Sequence, residues 1–177
     1  MPIIDPLDSD VADDRGLGPT FESFARLDDD GSAFAGILGH VPQYAEAVWG
    51  AMAESLFEGG VDHRLKELMR IQLASTAQDP YFSALRSRQA TEAGLTEERI
   101  TAGLGDFEND PQFTDAEQWA LRYSHLMYRE PEKVDAAFYD EGKQHFTEAQ
   151  IMELGGLIAV HYGMAVFMRT LQDPPAG

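Results

Sequence analysis

The sequence predicts an all-α protein, a helical bundle with a central helical hairpin and a long buried C-terminal helix. The first observation is that residues 62–77 repeat apolar positions at the i, i+3, i+4, i+7 spacing of an amphipathic helix. The second is a pair of capping boxes, Thr114 with Glu117 and Thr147 with Gln150, which mark helix starts. The third is that no stretch shows the apolar–polar alternation of a strand.

Residues 1–31 are predicted to form an irregular acidic arm ahead of a helical domain that spans 32–177. Aspartate, proline and glycine dominate the arm, so a single short helix is expected near 20–27. Such an arm can wrap its own domain, wrap a neighbouring subunit or stay a mobile tail, and the sequence leaves all three open.

The central hairpin begins with the helix over 62–77, for which Asp62 is the predicted N-cap. Asp79 is expected to leave the helical conformation because Pro80 follows it. Pro80 suits the first turn of a second helix, since its missing N–H has no partner to lose there. That second helix is predicted to continue to a left-handed glycine stop at Gly94.

Three charged residues on the hairpin, Glu67, Arg70 and Arg86, are the first candidates for chemistry. In a folded hairpin they could line one groove. The alternative is a solvated charged face, which is a common environment for such residues.

The other predicted helices cover 41–57, 96–104, a segment opened by Thr114, 131–142 and 147–172. The last of them is apolar on nearly every face after Leu154, which is typical of a helix inside a bundle or against another subunit. Gly155 and Gly156 would let a neighbouring helix approach closely, because neither has a Cβ atom.

The charge of the chain argues against two classes of partner. There are 31 acidic and 13 basic residues, which gives a formal net charge of −18. Such a surface repels nucleic-acid phosphates and anionic membranes, so neither is expected as a partner. Few of the basic residues are lysines, a composition that suits either salt adaptation or high-GC coding bias.

The chain has no cysteine, which excludes disulfides, thiolate catalysis and cysteine metal sites. Residues 1–5 lack the basic start and apolar run of a signal peptide. The longest apolar run, 154–168, is shorter than the roughly 20 residues that span a bilayer. A soluble, cytoplasmic protein is therefore expected.

Three segments resemble the carboxymuconolactone decarboxylase and alkylhydroperoxidase D (AhpD-like) family, over roughly 36–174. They are the helix with Glu67-Leu68-Met69-Arg70, the stretch ATEAGLTEERI at 90–100, and His161-Tyr162-Gly163-Met164. The resemblance implies an AhpD-like helical bundle that assembles into a homo-oligomer, such as a dimer, trimer or hexamer.

The peroxidase branch of that family carries Cys-x-x-Cys-x-x-x-His on this hairpin and a glutamate one helix earlier. By the resemblance, the cysteine positions fall on Asp79 and Phe82, and the histidine position falls on Arg86. The glutamate position falls on Glu67, which is retained. Thiolate attack on a peroxide needs sulfur, so thiol peroxidase activity is excluded.

The decarboxylase-like branch often has Tyr-Glu-Trp at this place, followed by the same histidine. Tyr81 matches the tyrosine, whereas Phe82 and Ser83 do not match the next two residues. A guanidinium with a pKa above about 12 cannot exchange a proton near neutral pH. Arg86 is therefore suited to bind a carboxylate through paired N–H donors and unsuited to act as a base.

The first functional hypothesis is a cofactor-free lyase or isomerase that acts on a small organic acid by acid/base chemistry. Its catalytic residues would be Glu67, His161 and Tyr81. Its substrate-binding residues would be Arg86, Arg70, Asp79, Phe82 and Tyr162. The structural alternatives are that His161 is a satisfied core residue and that Glu67 is half of an ion pair.

The second hypothesis is a non-catalytic protein, a small-molecule-binding or scaffold oligomer that keeps the family fold. The loss of both cysteines and of the motif histidine supports it. A metal site is a weaker third candidate, because the five histidines show neither ligand spacing nor an HExxH motif. No cofactor is expected.

Overall fold

The computed structural model describes residues 3–27 and 33–171, and every regular element in these ranges is helical. The α-helices are α1 (Ser9–Asp14), α2 (Gly18–Phe24), α3 (Phe34–Leu38), α4 (Pro42–Phe57), α5 (His63–Thr76), α6 (Pro80–Ala84), α7 (Arg88–Glu92), α8 (Glu97–Leu104), α9 (Asp115–Arg129), α10 (Ala136–Gly142) and α11 (Glu148–Thr170). Two 3₁₀ turns occupy Ala25–Leu27 and Pro131–Lys133. The predicted all-α class is confirmed.

The N-terminal segment is more helical than predicted. The expected single helix near 20–27 is replaced by α1, α2 and a 3₁₀ turn. Four of its apolar side chains are fully buried, those of Ala12, Leu17, Phe24 and Leu27. The Phe24 ring stacks on Trp49 of α4 with ring centroids 3.8 Å apart. The segment therefore packs on its own domain, and the aspartate run at 28–30 lies outside the described residues.

Helix α5 lies at the centre of the bundle and contacts α4, α6, α7, α8, α9 and α11. The predicted N-cap is confirmed, since the Asp62 carboxylate accepts a hydrogen bond from the Arg64 backbone N–H at 2.8 Å. All residues over 65–74 are buried, including the charged Lys66, Glu67 and Arg70. The periodicity predicted one buried face, whereas the middle of this helix is buried on every side.

The second arm of the hairpin is divided, so the single helix predicted from Pro80 to Gly94 is wrong. Helices α6 and α7 are separated by a non-helical linker at 85–87. The predicted glycine stop is present, because Gly94 has a φ of +96°.

The side chain of Arg70 stabilises the break between α6 and α7. Its guanidinium donates to the backbone carbonyls of Phe82 and Leu85, each at 2.8 Å. Leu85 has an extended backbone, so these bonds satisfy carbonyls at the end of α6.

Both predicted capping boxes are present, and they begin α9 and α11. The helix predicted to begin at Pro131 is instead a 3₁₀ turn followed by α10. Asp135 caps α10 by accepting a hydrogen bond from the Phe138 N–H at 2.9 Å. Because Asp135 caps the backbone N–H of Phe138, α10 begins after Asp135 and not at Pro131.

Helix α11 packs against α4, α5 and α9. Its length of 23 residues and its apolar composition would allow it to cross a membrane. The predicted core run at 154–168 is thus part of a longer helix. Its buried residues are Ile151, Leu154, Leu157, Ile158, His161, Ala165 and Met168. They identify α11 as a core helix of this bundle that leaves one face exposed.

Two glycine substitutions test the packing of the bundle. A Cβ atom at Gly142 would overlap the ring of Trp119, which is fully buried. We expect Gly142→Ala to lower the free energy of unfolding by about 1–3 kcal/mol in urea denaturation, because the core is overpacked.

Gly50→Ala in the interior of α4 is the matched control, since nothing lies within 4 Å of a Cβ atom there. It should raise the free energy of unfolding by about 0.5–1 kcal/mol through helix propensity. Equal effects of the two changes would contradict this description of the core.

Candidate functional site

The site begins with an ion pair inside α5. Arg70 Nε lies 2.7 Å from Glu67 Oε2, and Arg70 Nη2 lies 2.9 Å from Glu67 Oε1. Both side chains are only 1% exposed. Their spacing of three residues puts them on neighbouring turns of the helix, which allows this paired geometry.

The remaining bonds of this pair reach the second arm of the hairpin. Arg70 also donates to the Phe82 and Leu85 carbonyls, so four of its five N–H groups are used. The Ser87 backbone N–H donates to Glu67 Oε1 at 2.7 Å. This is the third hydrogen bond that the Glu67 carboxylate accepts. The pair therefore ties α5 to both ends of the linker between α6 and α7.

Asp79 and Phe82, the two predicted ligand-binding positions at the hairpin turn, are buried. The Asp79 carboxylate accepts from the N–H groups of Tyr81 and Phe82 at 3.1 and 3.3 Å and caps α6. The Phe82 ring packs edge-on against Phe34, with centroids 5.0 Å apart. At these positions the hairpin turn is filled by its own chain.

Arg86 does not complete the groove predicted for Glu67, Arg70 and Arg86. It shares the Leu85 carbonyl with Arg70, but its guanidinium pairs with Glu97 at 2.6 Å near the surface. The hydrogen bond that Arg86 donates to the Glu97 carboxylate raises the pKa of Arg86 further. The predicted carboxylate-binding arginine already holds a carboxylate of its own chain.

His161 is buried beneath the hairpin, and its Nε2–H donates to the Met52 carbonyl at 3.2 Å. Burial lowers its pKa to about 3, and the positive charges of Arg70 and Lys66 contribute in the same direction. The imidazole is therefore neutral near physiological pH and is a very weak base. The charge of Arg70 therefore acts on His161 inside the core, while the hydrogen bond of His161 goes to Met52 of α4.

The two predicted tyrosines lie in different surroundings. Tyr81 is half-buried, and its ring packs edge-on against Phe82 with centroids 5.0 Å apart. Tyr162 stacks on Tyr128 of α9 at 4.1 Å. Tyr81 thus borders the hairpin turn, whereas Tyr162 belongs to the contact between α9 and α11.

Sequence reasoning missed a hydrogen-bonded pair, His63 and Ser87. His63 Nδ1–H donates to the Leu56 carbonyl at 2.9 Å, and the Ser87 hydroxyl donates to His63 Nε2 at 2.6 Å. Burial lowers the pKa of His63, which keeps the imidazole an acceptor. Ser87 is fully buried and also caps α7 by accepting from the Ala90 N–H. A serine immediately ahead of a short helix signals the cap, but nothing in the sequence links it to His63.

The surface carries two open grooves. Within 3–27 and 33–171, no group of three or more histidines and carboxylates could hold a metal ion. One groove of about 320 Å³ lies between α4 and α11. Another of about 300 Å³ lies between the first 3₁₀ turn and α7, lined by Ala25, Arg26, Arg88, Gln89 and Glu92.

A sequence profile of the Carboxymuconolactone decarboxylase family matches residues 42–126. This range holds α4, the hairpin, α8 and most of α9, and thus the buried ion pair. No curated protein sequence matches the chain.

Solved structures share the fold. The debrominase Bmp8 in complex with 2,3,4-tribromopyrrole has a TM-score of 0.81 and 20% identity, covering 95% of this chain and 88% of that one. An AhpD-core, peroxidase-related protein of Ralstonia eutropha has a TM-score of 0.75 and 13% identity, covering 99% and 94%. A peroxidase-related protein of Silicibacter has a TM-score of 0.73 and 12% identity, covering 96% and 86%.

The fold and the buried hairpin define an AhpD-like helical protein without a thiol site. The match to the carboxymuconolactone decarboxylase family over 42–126 agrees with the resemblance, and the chain lacks the Cys-x-x-Cys motif.

Removal of Arg70 tests the buried pair. In Arg70→Met the Glu67 carboxylate stays buried and keeps the Ser87 N–H as its remaining donor among the bonds described above. We expect the free energy of unfolding, measured in urea at pH 7, to fall by about 3–5 kcal/mol. Adding Glu67→Gln should restore part of that loss, because the unpaired charge is removed.

Arg64→Met provides the matched control, since Arg64 pairs with Asp62 on the same helix but both side chains are half-exposed. Its cost should stay below about 1 kcal/mol. A similar loss in the two single variants would show that burial does not determine the cost.

The pH dependence of stability tests His161. The unfolded chain binds a proton with the ordinary pKa of 6.5, whereas the native pKa is about 3. The native state is therefore most favoured above pH 6.5, and that stability is lost as the pH falls from 6.5 towards 3. From pH 7 to pH 5 the free energy of unfolding should drop by about 2 kcal/mol on this account.

His161→Gln keeps a donor for the Met52 carbonyl but cannot titrate, so its stability should fall less than that of the wild type over the same range. His145→Gln removes an exposed imidazole and is the control. If His161→Gln and the wild type lost stability in parallel, the assigned role of His161 would be wrong.

Proposed function

We propose that the chain is a non-catalytic member of its family that binds small molecules and acts as a scaffold oligomer in the cytoplasm. The observation that carries the proposal is that both oxygens of the Glu67 carboxylate already accept hydrogen bonds. It accepts three hydrogen bonds from its own chain, two of them from Arg70. A cysteine-free chain is compatible with a reducing compartment.

Acid/base catalysis needs a group that can reach the substrate and gain or lose a proton at the working pH. Glu67 would have to break a buried ion pair to accept a proton, and such pairs are costly to disrupt. His161 has a pKa of about 3 and is buried, which makes it a poor base. These features support structural roles for both residues.

The groove beside α7 is the best place for a small ligand. Its lining includes Arg26 and Arg88, and guanidinium groups pair well with carboxylates. Arg26 also pairs with Glu58 at 3.6 Å, so an anion in the groove would compete with that carboxylate. A volume of about 300 Å³ matches the lower end of small-molecule sites. In a strongly acidic protein, two neighbouring arginines favour a small organic anion as the ligand.

The alternative function is a cofactor-free lyase or isomerase acting on a small organic acid. One observation favours it: Glu67, Arg70 and His161 are all buried, and the charge of Arg70 acts on the pKa of His161. Tyr81 at the hairpin turn would then supply a hydrogen bond to the substrate.

A thermal-shift screen of small organic acids, together with 2,3,4-tribromopyrrole, separates the two functions. Each compound that raises the melting temperature is then incubated with the protein and followed by mass spectrometry. We expect stabilisation by an organic anion without conversion of that compound. Arg88→Gln should reduce the stabilisation, whereas Arg129→Gln at an exposed position of α9 should not.

Turnover by the wild type would overturn the proposal. If that turnover disappeared in Glu67→Gln while the circular dichroism spectrum was unchanged, the enzyme alternative would replace it.

A further inference from the structure

The groove beside α7 presents charges of both signs. Arg26 of the first 3₁₀ turn lines it, as do three side chains of α7, those of Arg88, Gln89 and Glu92. Arg88 and Glu92 are four residues apart, so both side chains project from one face of the helix, about one turn apart. A ligand that carries only a carboxylate would therefore lie beside a negative charge of the protein.

The Glu92 carboxylate is available to a ligand. No hydrogen bond or ion pair within 3–27 and 33–171 occupies it, and the same holds for the side chain of Gln89. Both residues are exposed. A ligand that covers them removes their water, which is costly unless the ligand brings hydrogen-bond donors. An ammonium group has three donors and a positive charge, and it suits a carboxylate beside an amide oxygen.

Arg26 is held where the carboxylate of a ligand can reach it. Its guanidinium carbon lies 3.6 Å from the centroid of the Phe57 ring, and its Nη2 lies 3.6 Å from Glu58 Oε1. The side chains of Arg26 and Glu58 are 44% and 57% exposed, so their ion pair is weak and a second carboxylate can compete with it. The contact with the Phe57 ring keeps the guanidinium in place during such an exchange.

We propose that the ligand of this groove is a small amino acid in its zwitterionic form. Its carboxylate binds the Arg26 guanidinium, with the positive charge of Arg88 beside it. Its ammonium group binds the Glu92 carboxylate and the amide oxygen of Gln89. This inference rests on the proposed function and narrows its organic acid to one that also carries an ammonium group.

The net charge of the chain favours the same class of ligand. A protein with a formal charge of −18 repels a simple organic anion at long range. A zwitterion has no net charge, so it reaches the groove without that repulsion. Once bound, each of its charges meets the opposite charge of the lining, whereas a simple anion satisfies only the arginines.

Matched sets of three compounds test this ligand class on the full chain. One set is alanine, propanoate and ethylamine, and the other is 5-aminopentanoate, pentanoate and pentylamine, which places the two charges further apart. Binding is measured by isothermal titration calorimetry at pH 7 and about 0.01 M salt, where charge interactions are little screened. We expect the amino acid of at least one set to bind at least tenfold more tightly than the parent acid, and neither amine to bind.

Single variants then assign the two ends of the ligand. Glu92→Gln should reduce the preference for the amino acid over its parent acid to less than threefold, without weakening the binding of the acid. Arg26→Gln should weaken the binding of both compounds. Glu98→Gln removes an exposed carboxylate of α8 and is the matched control, which should change neither affinity.

The comparison of compounds uses the wild type, so it does not depend on the folding of any variant. Equal affinity for each acid and its amino acid, or a preference that survives Glu92→Gln, would overturn this inference and leave the anion site of the proposed function in place. An amine that binds as tightly as its amino acid, unchanged affinities in Arg26→Gln, or no binding of any acid or amino acid would overturn both.

Discussion

The buried contact between Arg70 and Glu67 is the constraint on which the rest of the hairpin depends. One guanidinium joins two helices and a linker, because it donates to its carboxylate partner and to the carbonyls of Phe82 and Leu85. Removing two charges from water is costly, and that cost is offset only when geometry and hydrogen bonding are nearly complete. Here both conditions are met, and the result is a hairpin arm that is fixed in two short helices.

The same contact makes this part of the hairpin a packing element. The oxygens of Glu67 are occupied by Arg70 and the Ser87 N–H. The nearby Phe82 ring packs against Phe34 of α3. Phe24 adds further aromatic contacts, with Phe34 and with Trp49.

Much of the fold could be predicted from local signals. The capping boxes at Thr114 and Thr147, the N-cap Asp62 and the stop at Gly94 act within a few residues, so the sequence alone displays them. The division of α6 from α7 could not be predicted in this way. The break is stabilised by a side chain twelve and fifteen residues away in sequence, and periodicity carries no information about such a contact.

The candidate site was predicted less well for the same reason. The spacing predicted that Glu67, Arg70 and Arg86 lie on one hairpin and line one groove. In the structure, Arg86 forms its ion pair with Glu97 of α8. The link between His63 and Ser87 also joins distant segments, and only the folded chain reveals it. The general error of the prediction was to expect that the charged side chains of α5 face water. An amphipathic pattern suggests that charged positions face water, yet α5 is covered by neighbours on every side.

A closed hairpin changes where this protein can interact with other molecules. Ligands cannot reach Glu67 or His161 without displacing packed helices, whereas the groove beside α7 and the outer face of α11 are open. These two surfaces have opposite character, since one presents arginines and the other presents glycine, alanine and exposed apolar side chains. In a strongly acidic chain, the first suits a small anion. The interior therefore supplies stability, and recognition is left to the surface.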